Sequence, residues 1–388
     1  VRKLWPFTFN FVQFAAIASV SPFIVLYYQE LGFTGAQIGL LTGLVPLITL
    51  FAAPLWTGLA DATHRHRTVM SLGILVGVIT VFVYPFFSAF VPVAFIAVTL
   101  NIFMAPVTPL ADSATMFMLA DEKEMYSRVR LGGTLGYGIA ALMSGLLVQN
   151  YGLRLAFWGC AFLFLLELFV SQKLVHGQLE ADSPAGGHVR SLLTNPRWIL
   201  FLAVAFAGGA GLAAFNNYFF PYMKELGADE SMMGLALMVG TFFEIPTLFF
   251  GNRLIKRLKP YGLLMVSMVA TGLRMLLLAV SGTPILVLFI QLLNGLTFPA
   301  MWVAGVSYAD AHAPAGIRST AQGLFSAMVL GFGMAVGGFV GGPLLESIGG
   351  RGLYLVFGAS VLAIVAIVAL IYGRLPPERE MSANAVIE

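Results

Sequence analysis

Apolar runs of about twenty residues follow one another from end to end of this chain, parted by short polar loops. A helix of that length crosses about 30 Å of hydrocarbon, so each run reads as a membrane span. Only 10% of the residues are charged and the mean hydropathy is +0.89, whereas an average soluble domain carries about 25% charge. The spacing predicts twelve helices in 388 residues and leaves almost nothing for a soluble domain. The first, second, fourth and sixth are expected at 5–28, 36–59, 91–118 and 155–171. The third ends near Ser88, and the fifth runs from DEKEMYSR to QNYGLR. Helices 7 to 12 follow at 198–222, 232–252, 261–281, 284–309, 319–345 and 353–373.

The loops order these spans. One Pro/Gly/Ser-rich polar linker, QKLVHGQLEADSPAGGHVRSLLTNPR, interrupts the chain near its middle. It divides an N-terminal bundle at 1–173 from a C-terminal bundle at 197–376, with the linker at 174–196 and a tail at 377–388. Lysine and arginine crowd one alternating set of loops, among them Arg2, Lys3, Arg65, Arg67, Lys123, Arg190, Arg253, Lys256, Arg257 and Arg379. The opposite set holds only Arg154, Lys224 and Arg351. The positive-inside rule then puts both termini, the linker and the tail in the cytoplasm, which requires an even helix count. The start, VRKLWPF, enters a span with no small-residue cleavage site, so no removable signal peptide is expected. In such a chain the +3 net charge concerns orientation, and no nucleic-acid partner is expected.

Glu30-Leu31-Gly32 with Gly39-Leu40 recurs as Glu225-Leu226-Gly227 with Gly234-Leu235, at one offset of 195 residues. Leu100-Asn101 is echoed by Leu293-Asn294. Two six-helix halves of parallel topology follow from that repeat and from the position of the linker.

Charge inside the spans is costly and normally meets a partner or water. Asp112 lies in the fourth apolar run and Arg130 near the start of the fifth, so the hairpin gives each a counter-charge. Glu244 and Arg274 form a second buried set, either a proton-carrying acid beside a cation or a static pair. Glu167 stands midway through helix 6 as a further proton site or as a neutral group bonded to another helix. Asn10 and Gln13 in helix 1, and Asn216 and Asn217 in helix 7, line a pathway or bond helix to helix. Gly132, Gly133, Gly136 and Gly138 of helix 5 correspond to Gly331, Gly333, Gly337 and Gly338 of helix 11 and suit two halves that rock past each other. The single cysteine, Cys160, allows no internal disulfide and reads as a small core or lipid-facing residue. All five histidines fall in loops without metal spacing, so neither a metal site, a cofactor nor an enzyme is expected.

GLADATHRHR, between helices 2 and 3, resembles the cytoplasmic loop signature of the major facilitator superfamily through Gly58, Asp61, Arg65 and Arg67. Asp61 would cap a helix end and pair with a basic group across the two halves, as a gate; the alternative is a plain solvated turn. Within that superfamily the chain resembles the lactose permease and phenylpropionate permease branch. An acid in helix 4 and an arginine eighteen residues later match Asp112 and Arg130, and Tyr137 falls where the permease stacks a tryptophan. LLESIGGRGLYLVFG, FFEIPTLFFGNRL, TGLRMLLL and QLLNGLTF carry the likeness through the second half. The resemblance implies that Asp112, Arg130 and Tyr137 hold a solute, unless the first two merely fasten helix 4 to helix 5. It adds Asn294 to the amides lining the path and implies proton coupling through Glu244 and Arg274. Asn294 and Thr297 stand where the permease has a histidine and a glutamate, so coupling would rest on Glu244 or Asp112. SGLLVQNYG lacks the proline of drug antiporters, which counts against multidrug efflux.

The expected protein is thus all-α, with twelve spans in two pseudo-symmetric six-helix bundles, multi-pass in the cell inner membrane. It is a proton-coupled symporter, working as a monomer, that imports a small polar organic solute: a sugar, a nucleoside or an aromatic acid. An exporter or uniporter on the same fold is the alternative, followed by a non-transporting receptor or scaffold.

Overall fold

The computed structural model describes residues 4–120, 122, 125–177, 189–313 and 317–375. Among them every regular element is helical. Arg2, Lys3, Lys123, Arg379, most of the DEKE run, linker residues 178–188 and the tail from 376 onward lie outside the described residues. Six spans form the first half: α1 Leu4–Glu30, α2 Gly35–Thr63, α3 His66–Phe86, α4 Phe90–Leu119, α5 Tyr126–Tyr151 and α6 Arg154–Ser171. A short helix, Val189–Thr194, precedes α7 Pro196–Glu225. The helical stretch Glu230–Val280 breaks at Lys259 into α8 (230–258) and α9 (260–280). After α10 Pro284–His312, the last stretch breaks at Gly349 into α11 (318–348) and α12 (350–374). Ten apolar helical stretches therefore make twelve spans.

The internal repeat is visible in backbone geometry. Gly32 and Gly227 both take the left-handed conformation, with φ of 75° and 83°, as the glycine after a helix end commonly does. The Phe33 N–H donates to the Tyr28 carbonyl (3.1 Å), and that of Ala228 to Met223 (3.0 Å), closing the same turn twice. Thr34 then caps α2, and Asp229 caps α8 with 2.7 Å to the Met232 N–H.

The two halves are sealed at the end carrying these turns. Gly35, Gly39 and Gly43 recur every fourth residue on α2 and meet Gly338 and Gly342 on α11. A Cβ at Gly338 would lie 2.6 Å from the Gly43 nitrogen, and one at Gly342 2.2 Å from the Gly35 carbonyl oxygen. On the opposite seam Gly145 of α5 packs on Glu230 and Gly234 packs on Ala141. Only residues without a side chain allow such approach, the logic of small-xxx-small pairs in membranes. Polar contacts lock the seal: the Gly35 N–H donates to Glu346 Oε2 (2.9 Å), the Thr42 hydroxyl of α2 lies 3.0 Å from the Tyr218 hydroxyl of α7, and Ser231 donates to Gln149. One buried apolar cluster runs across both halves here, from Phe9 and Tyr84 to Tyr222 and Tyr354. A second, around Trp198, Phe201, Met268 and Phe325, stays inside the C-terminal half.

Toward the end where α1 begins and α12 ends the halves part. Leu50 still touches Gly331, whereas Gly58 on α2 and Gly323 on α11 face open space. Outward-pointing apolar side chains such as Phe249 (79% exposed) and Val280 (78%) are free to meet lipid.

The glycines expected to let the halves rock divide between two jobs. Gly132, Gly133 and Gly136 receive Phe7, Phe14 and Phe11 of α1, inside the N-terminal half. Gly333 and Gly337 likewise pack on α7 within their own half. Gly138, Gly331 and Gly338 are the ones that face across. Glu167 is fully buried beside the Cys160 and Ser19 region, and among the described residues neither carboxyl oxygen has a hydrogen-bond partner.

Two outcomes follow. Gly338→Val overpacks the α2–α11 crossing by about 1–3 kcal/mol, enough to shift a two-state balance about fivefold to a hundredfold. Spin labels at exposed Leu40 and Val340 should then report a larger population of the longer separation, and an unchanged distance distribution would contradict the seal. Glu167→Leu removes an unsatisfied buried polar group, so thermal unfolding should show unchanged or higher stability.

Candidate functional site

Asp112 and Arg130 meet as the hairpin requires. A turn at Ala105–Pro106 breaks α4, and Asp112 sits in its second piece, Val107–Leu119. Arg130 occupies the start of α5, with Nη1 3.5 Å from Asp112 Oδ2. The same Nη1 donates to the Tyr126 hydroxyl at 3.0 Å. Tyr126, one turn before Arg130, completes the cluster; its signal in the sequence is that i to i+4 spacing. Both charged side chains keep exposed surface, Arg130 at 50% and Asp112 at 30%.

Tyr137 does not share that level. Seven helical residues separate it from Arg130, about 10 Å along α5. It stands instead where α5 meets α8: a Cβ at neighbouring Gly138 would lie 3.6 Å from Thr241. Glu244 is the charged group facing Tyr137 there.

Glu244 and Arg274 are joined through Asn294 rather than to each other. Asn294 Nδ2 donates to Glu244 Oε1 at 2.6 Å and to the Gly240 carbonyl at 3.1 Å, while its Oδ1 accepts from Arg274 Nη1 at 2.5 Å. Arg274 also donates to Gln291 Oε1 and to the Thr297 hydroxyl (3.3 Å), and its guanidinium lies 4.1 Å from the Phe215 ring centroid. The static Glu244–Arg274 ion pair is therefore replaced by an amide-bridged chain. Asn294, expected to line the path, is 7% exposed and spends every polar atom on this chain. Gln291 was not foreseen, since glutamine in an apolar helix carries no signal beyond its polarity.

The paired amides behave differently in the two halves. Asn10 is buried and bonds back to the Pro6 carbonyl (2.9 Å), and buried Gln13 ties α1 to Thr108 of α4 (3.0 Å). Asn216 is exposed and Asn217 half-buried, and among the described residues neither bonds to protein. Gln13 thus bonds helix to helix, Asn10 turns back on its own helix, and the second pair keeps open polar groups.

The sequence profile of the MFS_1 like family matches residues 6–356. The chain belongs to that family. It is 27% identical to the maltose permease of Geobacillus stearothermophilus, over 97% of this chain and 95% of that protein. It is 23% identical to the probable 3-phenylpropionic acid transporter of Escherichia coli, over 93% and 94%. The crystal structure of the nucleoside transporter NupG has the same fold, with a TM-score of 0.84 at 20% identity over 96% of this chain and 99% of that one. The protein is a multi-pass secondary transporter of the major facilitator superfamily (MFS), and its substrate is a small molecule.

The gate loop of this MFS transporter keeps its contacts inside the N-terminal half. Asp61 pairs with His66 Nε2 of its own loop (2.7 Å), not with a base across the interface. Arg67 donates to the Gln172 carbonyl at the end of α6, Arg65 is exposed, and Gly58 faces open space. A partner across the halves is out of reach while this end is parted. His66 stacks on His176 at 5.8 Å and 14°. Burial, then the neighbouring His66 and Arg67, lowers the His176 imidazole from 6.5 to about 4. A lowered folded value means stability is complete above the unfolded value and is lost as pH falls from 6.5 toward 4. The thermal midpoint should drop across that window, and His176→Phe, which keeps a stacking ring, should flatten the drop. Identical pH dependence in both proteins would refute the assignment.

Proposed function

We propose that this transporter imports a neutral, hydroxyl-rich solute of the sugar or nucleoside class together with a proton. The reading rests on one observation: Glu244 is bridged by a neutral amide at the level where the halves part, not neutralised by a cation. A carboxyl so placed can take up a proton and give it back, and Tyr137 of the other half faces it. Asp112, Arg130 and Tyr126 offer acceptors and donors side by side, the combination that grips vicinal hydroxyls. Both guanidiniums are already engaged, Arg130 by Asp112 and Arg274 by three neutral oxygens. That disfavours a solute carrying a carboxylate, so the relatives named for maltose and for nucleosides are the nearer guides. Tyr137, Asn216 and Asn217 would complete the solute's surroundings, and Asp112 is the alternative proton carrier.

The basic loops lie at the open end, which supports cytoplasmic termini, a cell-membrane location and an inward-open arrangement. Protonation of Glu244 from outside, solute capture, rocking about the glycine seams and release inside make the cycle. Its direction comes only from the difference in affinity between the two arrangements. Asp61, Arg65 and Arg67 would then act as a gate when the inner end closes.

A thermal-shift screen of sugars, nucleosides and aromatic acids on the parent and on Arg130→Ala should find a stabiliser whose effect the variant loses. Loss of charge-assisted hydrogen bonds of about 1.5–3 kcal/mol corresponds to a ten- to hundredfold weaker affinity. In proteoliposomes, Glu244→Gln should abolish accumulation driven by a pH gradient while retaining exchange of that solute. Accumulation that ignores the gradient would indicate a uniporter, and an aromatic acid as sole stabiliser would overturn the neutral-solute reading.

A further inference from the structure

The part of α10 that faces Arg274 is not an α-helix. Gln291–Leu296 forms a six-residue 3-10 stretch, and Thr297 leaves it at φ −95° and ψ −110°. A 3-10 helix has three residues per turn, so side chains three apart eclipse one another, and runs beyond three or four residues are uncommon. Gln291, Asn294 and Thr297 therefore stand in one row; α-helical geometry would fan them over about 120°. All three give an oxygen to Arg274: Asn294 Oδ1 at 2.5 Å, the Thr297 hydroxyl at 3.3 Å, and Gln291 Oε1. Gln291 is fully buried and Thr297 3% exposed, so the row is a built feature of the interior.

Packing against α8 holds the row in this form. A Cβ at Gly295 would lie 2.1 Å from the Phe243 carbonyl oxygen and 2.9 Å from Thr247 Oγ1, so α10 lies directly on α8 backbone. Asn294 is pinned to the Gly240 carbonyl, and the Thr297 hydroxyl donates to the Asn294 carbonyl at 2.7 Å. Pro299 opens the helical piece that follows.

We infer that this row positions Arg274, keeping its guanidinium on neutral oxygens and away from Glu244, so that Glu244 remains free to exchange a proton. The inference rests on the reading of Glu244 as the proton carrier. Arginine and carboxylate pair more strongly than arginine and amides do, and one side chain, Asn294, separates the two groups. Direct pairing would hold Glu244 ionised through the cycle. The ionisable groups facing the pair are Tyr137 of α5 beside Glu244 and Tyr354 of α12 beside Arg274; α7 contributes the Phe215 ring and α10 only neutral side chains. Gln291, Asn294 and Thr297 are positioning residues in this account.

Infrared titration of the purified protein tests it without knowledge of the solute. The protonated-carboxyl C=O band absent from Glu244→Gln belongs to Glu244. In Gln291→Leu and in Thr297→Val, each of which removes one oxygen from the row, that band should titrate at a pH lower by about 1 unit or more. The second variant, and size-exclusion profiles of both, guard against a variant that does not fold. If the band titrates in the parent and keeps its midpoint in both folded variants, the positioning role is overturned while the proton-carrier reading stands. If no band distinguishes Glu244→Gln from the parent at any pH, the carrier reading itself falls.

Discussion

Desolvation of charge governs this molecule. An ionised side chain moved from water into hydrocarbon loses hydration worth several kcal/mol even after relaxation, so each one inside a span needs a local remedy. Asp112 and Arg130 combine mutual attraction with partial exposure. Arg274, almost wholly buried, is surrounded by three neutral oxygens and an aromatic face. Glu244 keeps one amide partner. The three remedies differ in what they leave open: the first keeps exposed polar atoms, the second is closed, and the third leaves a carboxyl with no cation bonded to it.

The second constraint is steric. Transport by rocking needs two surfaces that fit tightly in one arrangement and separate in another. Glycine on α2 and α11 brings backbone to backbone, and a few polar contacts (Glu346 to the Gly35 N–H, Thr42 to the Tyr218 hydroxyl) add direction. The larger apolar cluster includes residues of both halves. Because lipid tails are as apolar as leucine, such seams depend on contact and hydrogen bonding rather than on the hydrophobic effect. That makes them separable without exposing much new apolar surface to water.

The Glu244 part of the candidate site joins both constraints where α5 meets α8. The α5–α8 seam ends near Gly138 and Thr241, and Tyr137 and Glu244 lie just beyond it. Departures from the α-helix occur in α1 at Ser21–Phe23, in α4 at Ala105–Pro106, in α10 at Gln291–Leu296 and in α11 at Ala327–Gly333. Breaks of this kind free backbone groups, which only protein or water can satisfy at that depth.

Much of the fold was legible beforehand because its cause is local. Apolar length sets the spans, and the turn at Glu30-Leu31-Gly32 and its copy at Glu225-Leu226-Gly227 is written in a glycine that must take positive φ. The hairpin joining Asp112 to Arg130 follows from one short loop. Other parts were not legible, since they depend on which face of a helix meets which neighbour. Three of the four helix 5 glycines turned to α1 instead of the other half, and Asp61 turned to His66 of its own loop. Asn294 became a bridge, set by 3-10 winding onto Arg274, while Asn10 turned back on its own helix and Gln13 tied α1 to α4. Hydropathy and charge along the chain determine how many times it crosses the membrane and which groups must find partners. Only the packing of helix on helix decides which partner each group finds, because that choice depends on rotations and ångström-scale approaches that a linear order of residues does not contain.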